Sequence, residues 1–270
     1  MNHSLPYELD QRSVAAVVIS SQLAFGSVGN NVIARLIERH HHRVVAVPTV
    51  LLSNLPHYPS LAGGAIDDAW LAGILEELLA REVLLSATYV CVGYLAHPGQ
   101  ARIIGEWFTR LKSMIPNIRL IVDPAMGDDD VGLYTAPEVV EGYAEFLMPL
   151  ATGMTPNNFE LGLLASVDSG DVITRARGML GKELEWVAVT SASATESEQK
   201  FVRTLLVTKV NHWEINTPWV ESRAKGAGDH FLGTTVAGLL DGLELEAAME
   251  IAATATARAL AGKDPDFAAR

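Results

Sequence analysis

The sequence predicts an α/β fold, with a central, mostly parallel sheet, antiparallel edge strands and helices on both faces. Three observations predict it. Short runs rich in valine and isoleucine alternate with longer segments of helical period, the pattern of βαβ units. After residue 190 that alternation gives way to "KFVRTLLVTKVNHWEIN" (200–216), two β-rich stretches close together that suit an antiparallel edge. No Gly/Ser/Pro-rich tract and no internal repeat divides the chain, so 13–270 reads as one domain behind a polar N-terminal tail at 1–12.

Taken in order, strands are expected at 14–20, 44–47, 89–92, 119–122 and 186–190, each a short apolar run. Helices are expected at 29–40, 67–81, 99–114, 137–147, 157–164 and 171–180, with two more at 229–240 and 246–260. Pro156 fits the first turn of the helix it opens. The run "HHH" at 40–42 falls at a helix end, where imidazoles favour the negative end of the dipole, and it reads as a solvated cap. It lacks the spacing of a metal site.

Composition narrows the partner. The chain has 270 residues, 49% hydrophobic and 19% charged, with a net charge of −12. That balance disfavours a broad electrostatic grip on nucleic acid or an anionic membrane and points to a small molecule. Cys91 is the single cysteine, which excludes an intramolecular disulfide and a multi-cysteine zinc site and fits a reducing cytoplasm. The N-terminus turns apolar only at Val14 and has no basic lead-in, and nowhere are there about 18 uninterrupted apolar residues of the kind a membrane-spanning helix needs.

In open α/β sheets ligands bind beyond the carboxyl ends of the strands, which places the loops 20–30, 48–64, 123–134 and 190–193 at one edge. The stretch "SRAKGAGDHFLGTTVAGLL" (222–240) adds a glycine-rich helix mouth. There the nearly bare backbone of Gly226, Ala227 and Gly228 lets N–H groups approach a bulky anion, and Asp229 is placed either to cap the helix or to take a proton from an attacking hydroxyl. In "VDPAMGDDDVGLY" (122–134), Asp123 at a strand end supplies oxygen for Mg²⁺ and its phosphate partners, whereas Asp128 to Asp130 equally suit an acidic surface turn. In "TPNNFE" (155–160), Asn157 and Glu160 share a helix face, which suits a helix start and also a reach toward a metal. Neither the G-x-G-x-x-G fingerprint nor a Walker A loop is present, so phosphate must be handled by another device. His57 sits in the long loop at the ligand edge.

Together these stretches resemble the ribokinase-like superfamily, and specifically its vitamin B6 kinases. The segments "SQLAFGSVGN" (21–30), "AVPTVLLSNLPHY" (46–58), "GGAI" (63–66), "VDPAMGD" (122–128), "TPNNFE" (155–160), "VTSAS" (189–193) and "KGAGD" (225–229) occur in that family's order and spacing. The resemblance implies phosphorylation of the 5′-hydroxymethyl group of pyridoxal, pyridoxine or pyridoxamine by ATP with Mg²⁺, with K⁺ as a further activator and a cytoplasmic homodimer as the assembly. It implies that Ser21 and His57 contact the pyridine substrate with Tyr94 at the pocket edge, and that Asp229 is the catalytic base beside the anion hole of Gly226, Ala227 and Gly228. Asp123, Thr155, Asn157, Thr190 and Lys225 would line the nucleotide side, and Tyr134 and Glu160 the metal region.

Three positions depart from the commoner family pattern: Ala227 stands for Thr, Ala125 for Val, and Leu55–Pro56 for His-Thr. Two rival readings remain: a hydroxymethylpyrimidine kinase of the same superfamily, which the loop at 46–58 disfavours, and a non-catalytic sensor of the same fold, which the retention of Asp229 disfavours.

Overall fold

Period-2 alternation in the apolar strands builds a sheet with two buried faces. In the computed structural model, which describes residues 12–165, 170–192, 201–264 and 267, strand β1 (Ala16–Leu23) sends Val17 and Ile19 into one core and Ala16 and Val18 into the other. Helix α1 (Asn30–Arg39) and the parallel strand β2 (Val44–Leu52) follow, and β3 (Gly63–Ala65) turns back antiparallel on β2. Then come α2 (Asp68–Ala80), β4 (Tyr89–Val92), α3 (Pro98–Met114) and β5 (Arg119–Val122). A small hairpin of β6 (Gly127–Asp128) and β7 (Gly132–Leu133) leads to α4 (Pro137–Gly142). The remainder is β8 (Gly153–Met154), α5 (Asn158–Leu164), α6 (Val172–Met179), β9 (Trp186–Val189), β10 (Phe201–Thr208), β11 (His212–Pro218), α7 (Ala227–Leu240) and α8 (Leu245–Leu260).

Among the described residues the main sheet has nine strands in the order β11-β10-β9-β8-β5-β4-β1-β2-β3. The six central strands are parallel, and both edges are antiparallel, through β10 and β11 on one side and β3 on the other. Leu71 and Leu75 of α2 and Trp107 and Phe108 of α3 pack on one face, and Ile33, Ile37, Phe231, Val236 and Met249 from α1, α7 and α8 pack on the other. The buried Trp107 indole donates to the Leu75 carbonyl at 2.9 Å, joining α3 to α2. No helix among the described residues is long and apolar enough to cross a membrane.

The structure corrects the expected elements at three places. β3, β6, β7 and β8 depart from expectation, because two or three residues containing glycine carry no readable alternation. The expected helix at 137–147 breaks at Gly142 into a π-helical turn, Tyr143–Leu147, and a 3₁₀ turn, Met148–Leu150. Pro156 lies outside the helix it was expected to open, since Asn157 is the cap and α5 begins one residue later. At the end of α1, His40 and His42 both bond the Asp241 carboxylate at the end of α7, so the histidine run fastens two helix ends together. The expected tail at 1–12 lies outside the described residues except for Arg12, as do 193 and 200.

β8 tests the packing directly. A Cβ built on Gly153 would lie 2.0 Å from the Trp186 ring, which therefore packs straight onto the Gly153 backbone. Gly153→Ala is expected to destabilise the fold by about 1–3 kcal/mol through overpacking, read as a lower urea midpoint with an unchanged m-value.

Candidate active site

Bare backbone lets two loops meet at the carboxyl edge of the sheet. Gly29, at φ +56°, precedes α1, and a Cβ there would fall 2.2 Å from both the carbonyl oxygen and the hydroxyl of Ser21. Gly226, at φ +94°, precedes α7, and a Cβ there would fall 2.1 Å from the Ser27 carbonyl. A side chain at 226 would therefore hold the 225–228 loop away from the 26–29 loop, and one at 29 would push the start of α1 off Ser21. Asn30 fixes the first loop from below by donating to the Ser20 and Val47 carbonyls, and Asn31 bonds both backbone groups of Leu23.

Helix α7 is capped by the left-handed Gly226 and has no side-chain cap bond, so Asp229 stands inside its first turn. The choice the sequence left open between cap and free carboxylate is thereby made: Asp229 does not cap. The first helical bond runs from the His230 N–H to the Gly226 carbonyl, so the N–H groups of Ala227, Gly228 and Asp229 come before it at the positive end of the helix dipole. Half-buried Asp229 instead accepts from the Gly29 backbone N–H, and burial still pushes its carboxyl up to about 6.

Asp123 directly follows β5 and is buried against this helix mouth. Its Oδ1 accepts from the Thr155 hydroxyl at 2.8 Å, and a Cβ built on Gly228 would lie 3.5 Å from its Oδ2. Burial and the neighbouring Asp229 push Asp123 up to about 7, against the lowering effect of the Thr155 bond. Glu160 is buried in the first turn of α5, where burial, then the proximity of Asp123, pushes it up to about 8. Its Oε1 accepts from the Met126 N–H at 3.0 Å and the Gly127 N–H at 3.4 Å, and its Oε2 from the Asn157 N–H at 2.9 Å. Asn157 completes a capping box by accepting from the Glu160 N–H, and its amide donates to the Gly127 carbonyl. The helix-start reading of "TPNNFE" thus holds for Asn157 and Glu160, though not for Pro156, and these two side chains also fasten the 126–127 turn beneath the acidic cluster.

Tyr134 reaches the same cluster from above. Its N–H bonds the Met126 carbonyl, and although the side chain is half-exposed, partial desolvation and then the nearby Glu160, Asp123, Asp229 and Asp128 keep its phenol protonated. Its ring stacks near that of Tyr94, with centroids 6.5 Å apart and planes at 26°. Thr190 at the end of β9 bridges to Asn157 and donates its N–H to the Pro156 carbonyl. Asp128, Asp129 and Asp130 are exposed in the hairpin turn, as an acidic surface turn requires. His57 is exposed and stacks on Tyr58 at 4.8 Å, while Tyr58 meets Phe25 of the 24–29 loop edge-on at 6.2 Å. Lys225 is exposed beside the helix mouth. Sequence reasoning missed Gly29 as the donor to Asp229, because it placed Gly29 inside the helix expected at 29–40 rather than in front of it. It also missed Ser20 and Tyr143, which grip the backbone beside Tyr94 and carried no local signal at all.

The oxygen-only donors Asp123, Glu160 and Tyr134 suit a hard cation such as Mg²⁺. No group of three His, Cys, Asp or Glu among the described residues is placed to hold an ion by itself.

A glycine-capped helix mouth beside a buried acidic cluster, at the carboxyl edge of a doubly covered parallel sheet, is the arrangement in which α/β proteins commonly receive an anionic ligand. Residues 77–268 match the family model described as phosphomethylpyrimidine kinase. The chain is 42% identical over 248 residues to the pyridoxine/pyridoxal/pyridoxamine kinase of Bordetella avium, covering 91% of this chain and 84% of that one. It is also similar to the pyridoxal kinase of Leishmania donovani solved in complex with ADP and pyridoxamine, at 28% identity and a TM-score of 0.79, covering 88% of this chain and 83% of that one. The pyridoxal kinase of Entamoeba histolytica shares the fold, with a TM-score of 0.83 at 22% identity over 95% of this chain and 92% of that one. The chain belongs to the phosphomethylpyrimidine kinase family, on its pyridoxine/pyridoxal/pyridoxamine kinase branch.

The cluster sets a pH dependence. Asp229, Asp123 and Glu160 hold their protons up to about 6, 7 and 8 in the folded state, against about 4 in an unfolded chain. Their contribution to stability is complete below about pH 4 and is lost as pH rises through these folded values. Asp123→Asn, which removes one titrating group, is expected to match wild type near pH 4 and to exceed it by a few kcal/mol near pH 8, on the order of the pKa shift removed. Urea midpoints measured across that range check both the sign and the window.

Proposed function

We propose that this chain transfers the γ-phosphoryl group of ATP to the 5′-hydroxymethyl group of pyridoxal, pyridoxine or pyridoxamine. The observation that carries this reading is Asp229: a carboxylate inside the first turn of a glycine-capped helix, kept from capping it and oriented by the Gly29 N–H. The N–H groups of Ala227 and Gly228 receive the transferring phosphoryl oxygens, and Asp229 takes the hydroxyl proton. Ser21, held against Gly29, and Tyr94 bind the vitamer ring, with His57 and Tyr58 at the mouth. Thr155 and Thr190 line the nucleotide side, with Asn157 holding that wall and Lys225 reaching the outer phosphates. Asp123 and Glu160, with Tyr134 nearby, would hold Mg²⁺ directly or through its waters. The ion supplies charge neutralisation between the nucleotide phosphates.

The same reading places the chain in the cytoplasm as a homodimeric, single-domain enzyme in which K⁺ adds activation. It draws support from the relatives' printed activities and from the ordered placement of the sequence motifs at one sheet edge. A second reading within the same family, whose model is described as phosphomethylpyrimidine kinase, is a kinase of hydroxymethylpyrimidine. One coupled ATP assay with the three vitamers and hydroxymethylpyrimidine separates them. Turnover of the vitamers at least tenfold above the pyrimidine in kcat/KM is expected, and the reverse ranking sinks the first reading.

Asp229→Asn is expected to keep vitamer binding and to lose roughly 10²–10⁴ in kcat, measured by titration calorimetry beside the assay. Because Asp229 must be ionised to accept the proton, wild-type kcat/KM is expected to fall as pH drops through about 6. Glu160→Gln turns an amide group toward N–H donors that a carboxylate had satisfied, so the 126–127 turn shifts and the Mg²⁺ requirement rises. A magnesium titration superimposing on wild type would leave Glu160 as a helix-start residue only.

A further inference from the structure

The π-helical turn after α4 serves no purpose in the chemistry described so far, yet it buries one of the largest side chains in the protein. Tyr143, 0% exposed, opens that turn, and its hydroxyl donates to the Gly93 carbonyl, fifty residues earlier at the end of β4. Insertions of this kind in a helix recur at functional sites.

The receiving segment is gripped from every side. The Gly93 N–H bonds the Ile19 carbonyl, and a Cβ on Gly93 would fall 2.4 Å from the Ser20 hydroxyl. That hydroxyl accepts from the Tyr94 N–H at 3.1 Å, and the Tyr94 carbonyl accepts from the Thr49 hydroxyl at 2.6 Å. Strands β1 and β2 thus hold Tyr94 on two sides, and Tyr143 closes the third from across the α3 layer. The turn itself is wedged in place: a Cβ on Gly105 of α3 would lie 2.6 Å from the Phe146 carbonyl, and one on Gly142 would lie 3.0 Å from the Ala101 methyl. Burial keeps the Tyr143 phenol protonated, so it remains a donor throughout the working pH range.

We propose that Tyr143 is a positioning residue for vitamer binding: by holding the Gly93 carbonyl it fixes the Gly93–Tyr94 backbone, and through it the Tyr94 ring beside the substrate. This rests on the reading that places Tyr94 at the pocket edge. The Tyr143 hydroxyl is bonded to the Gly93 carbonyl, so although Asp123, Tyr134 and Glu160 lie near enough to act on its phenol, loss of that bond falls on the Tyr94 side of the site.

Tyr143→Phe keeps the ring and its packing and deletes the bond. KM for pyridoxine is expected to rise about three- to tenfold, the worth of one net hydrogen bond, while KM for ATP stays within about twofold and kcat changes little. Thr49→Val, which loosens the same segment from the other side, is expected to give the same split. In a Tyr94→Ala background, where KM for pyridoxine is already raised, adding Tyr143→Phe is expected to cost nothing further.

An unchanged pyridoxine KM in Tyr143→Phe, an equal rise in both KM values, a full additional rise on top of Tyr94→Ala, or failure of Tyr143→Phe to fold would each overturn the positioning role. If Tyr94→Ala itself leaves the pyridoxine KM unchanged, the placement of Tyr94 is the part that fails. The positioning role then falls with it, while activity of the wild type on pyridoxine keeps the kinase reading standing.

Discussion

Everything at this site depends on two backbones approaching with no side chain between them. Gly29 rests on Ser21, and Gly226 rests on the Ser27 carbonyl, each in a left-handed conformation that other residues adopt at a cost. That approach brings the Gly29 N–H to Asp229 and turns the open end of α7 toward the carboxyl edge of the sheet. A methyl group at 226 would part the two loops, and one at 29 would push the Gly29 backbone off Ser21, so that the helix mouth and the Ser21 wall would separate.

The same closeness concentrates negative charge. Asp123, Glu160 and Asp229 share a buried region, and each holds its proton more tightly than a free carboxyl does. Glu160 is partly compensated by three backbone N–H groups and Asp123 by the Thr155 hydroxyl. A stability maximum would call for neutral groups here, so the cluster costs the fold something that binding of a cation would return. Beneath it, the capping box of α5 and the 126–127 turn form one rigid unit, because the Asn157 and Glu160 side chains serve both.

Residue patterns made the central strands and the long helices legible, since alternation and helical period are local properties of a few consecutive residues. β3 and β8 escaped because they exist only by pairing with neighbours already in place: Gly153 and Met154 make a strand between β5 and β9 and would make nothing alone. The break at Tyr143 escaped for a related reason, as the segment 137–147 has ordinary helical period and is diverted by its packing on α3.

By itself the sequence determined the alternating α/β plan, the edge of the sheet where the unusual loops gather, and the glycine-lined mouth with an acid beside it. These follow from side-chain periodicity and from the freedom of glycine, which need no partner to be read. Only the tertiary structure decided what the side chains there do: that Gly226 caps α7 and leaves Asp229 to the Gly29 N–H, that Asn157 and Glu160 are bonded to backbone groups, and that Tyr143 bonds the Gly93 carbonyl. The physical reason is distance along the chain. Glu160 bonds Met126 across 34 residues and Tyr143 bonds Gly93 across 50, and hydrogen bonds of that span are fixed by which strand lies beside which, a choice the whole sheet makes at once.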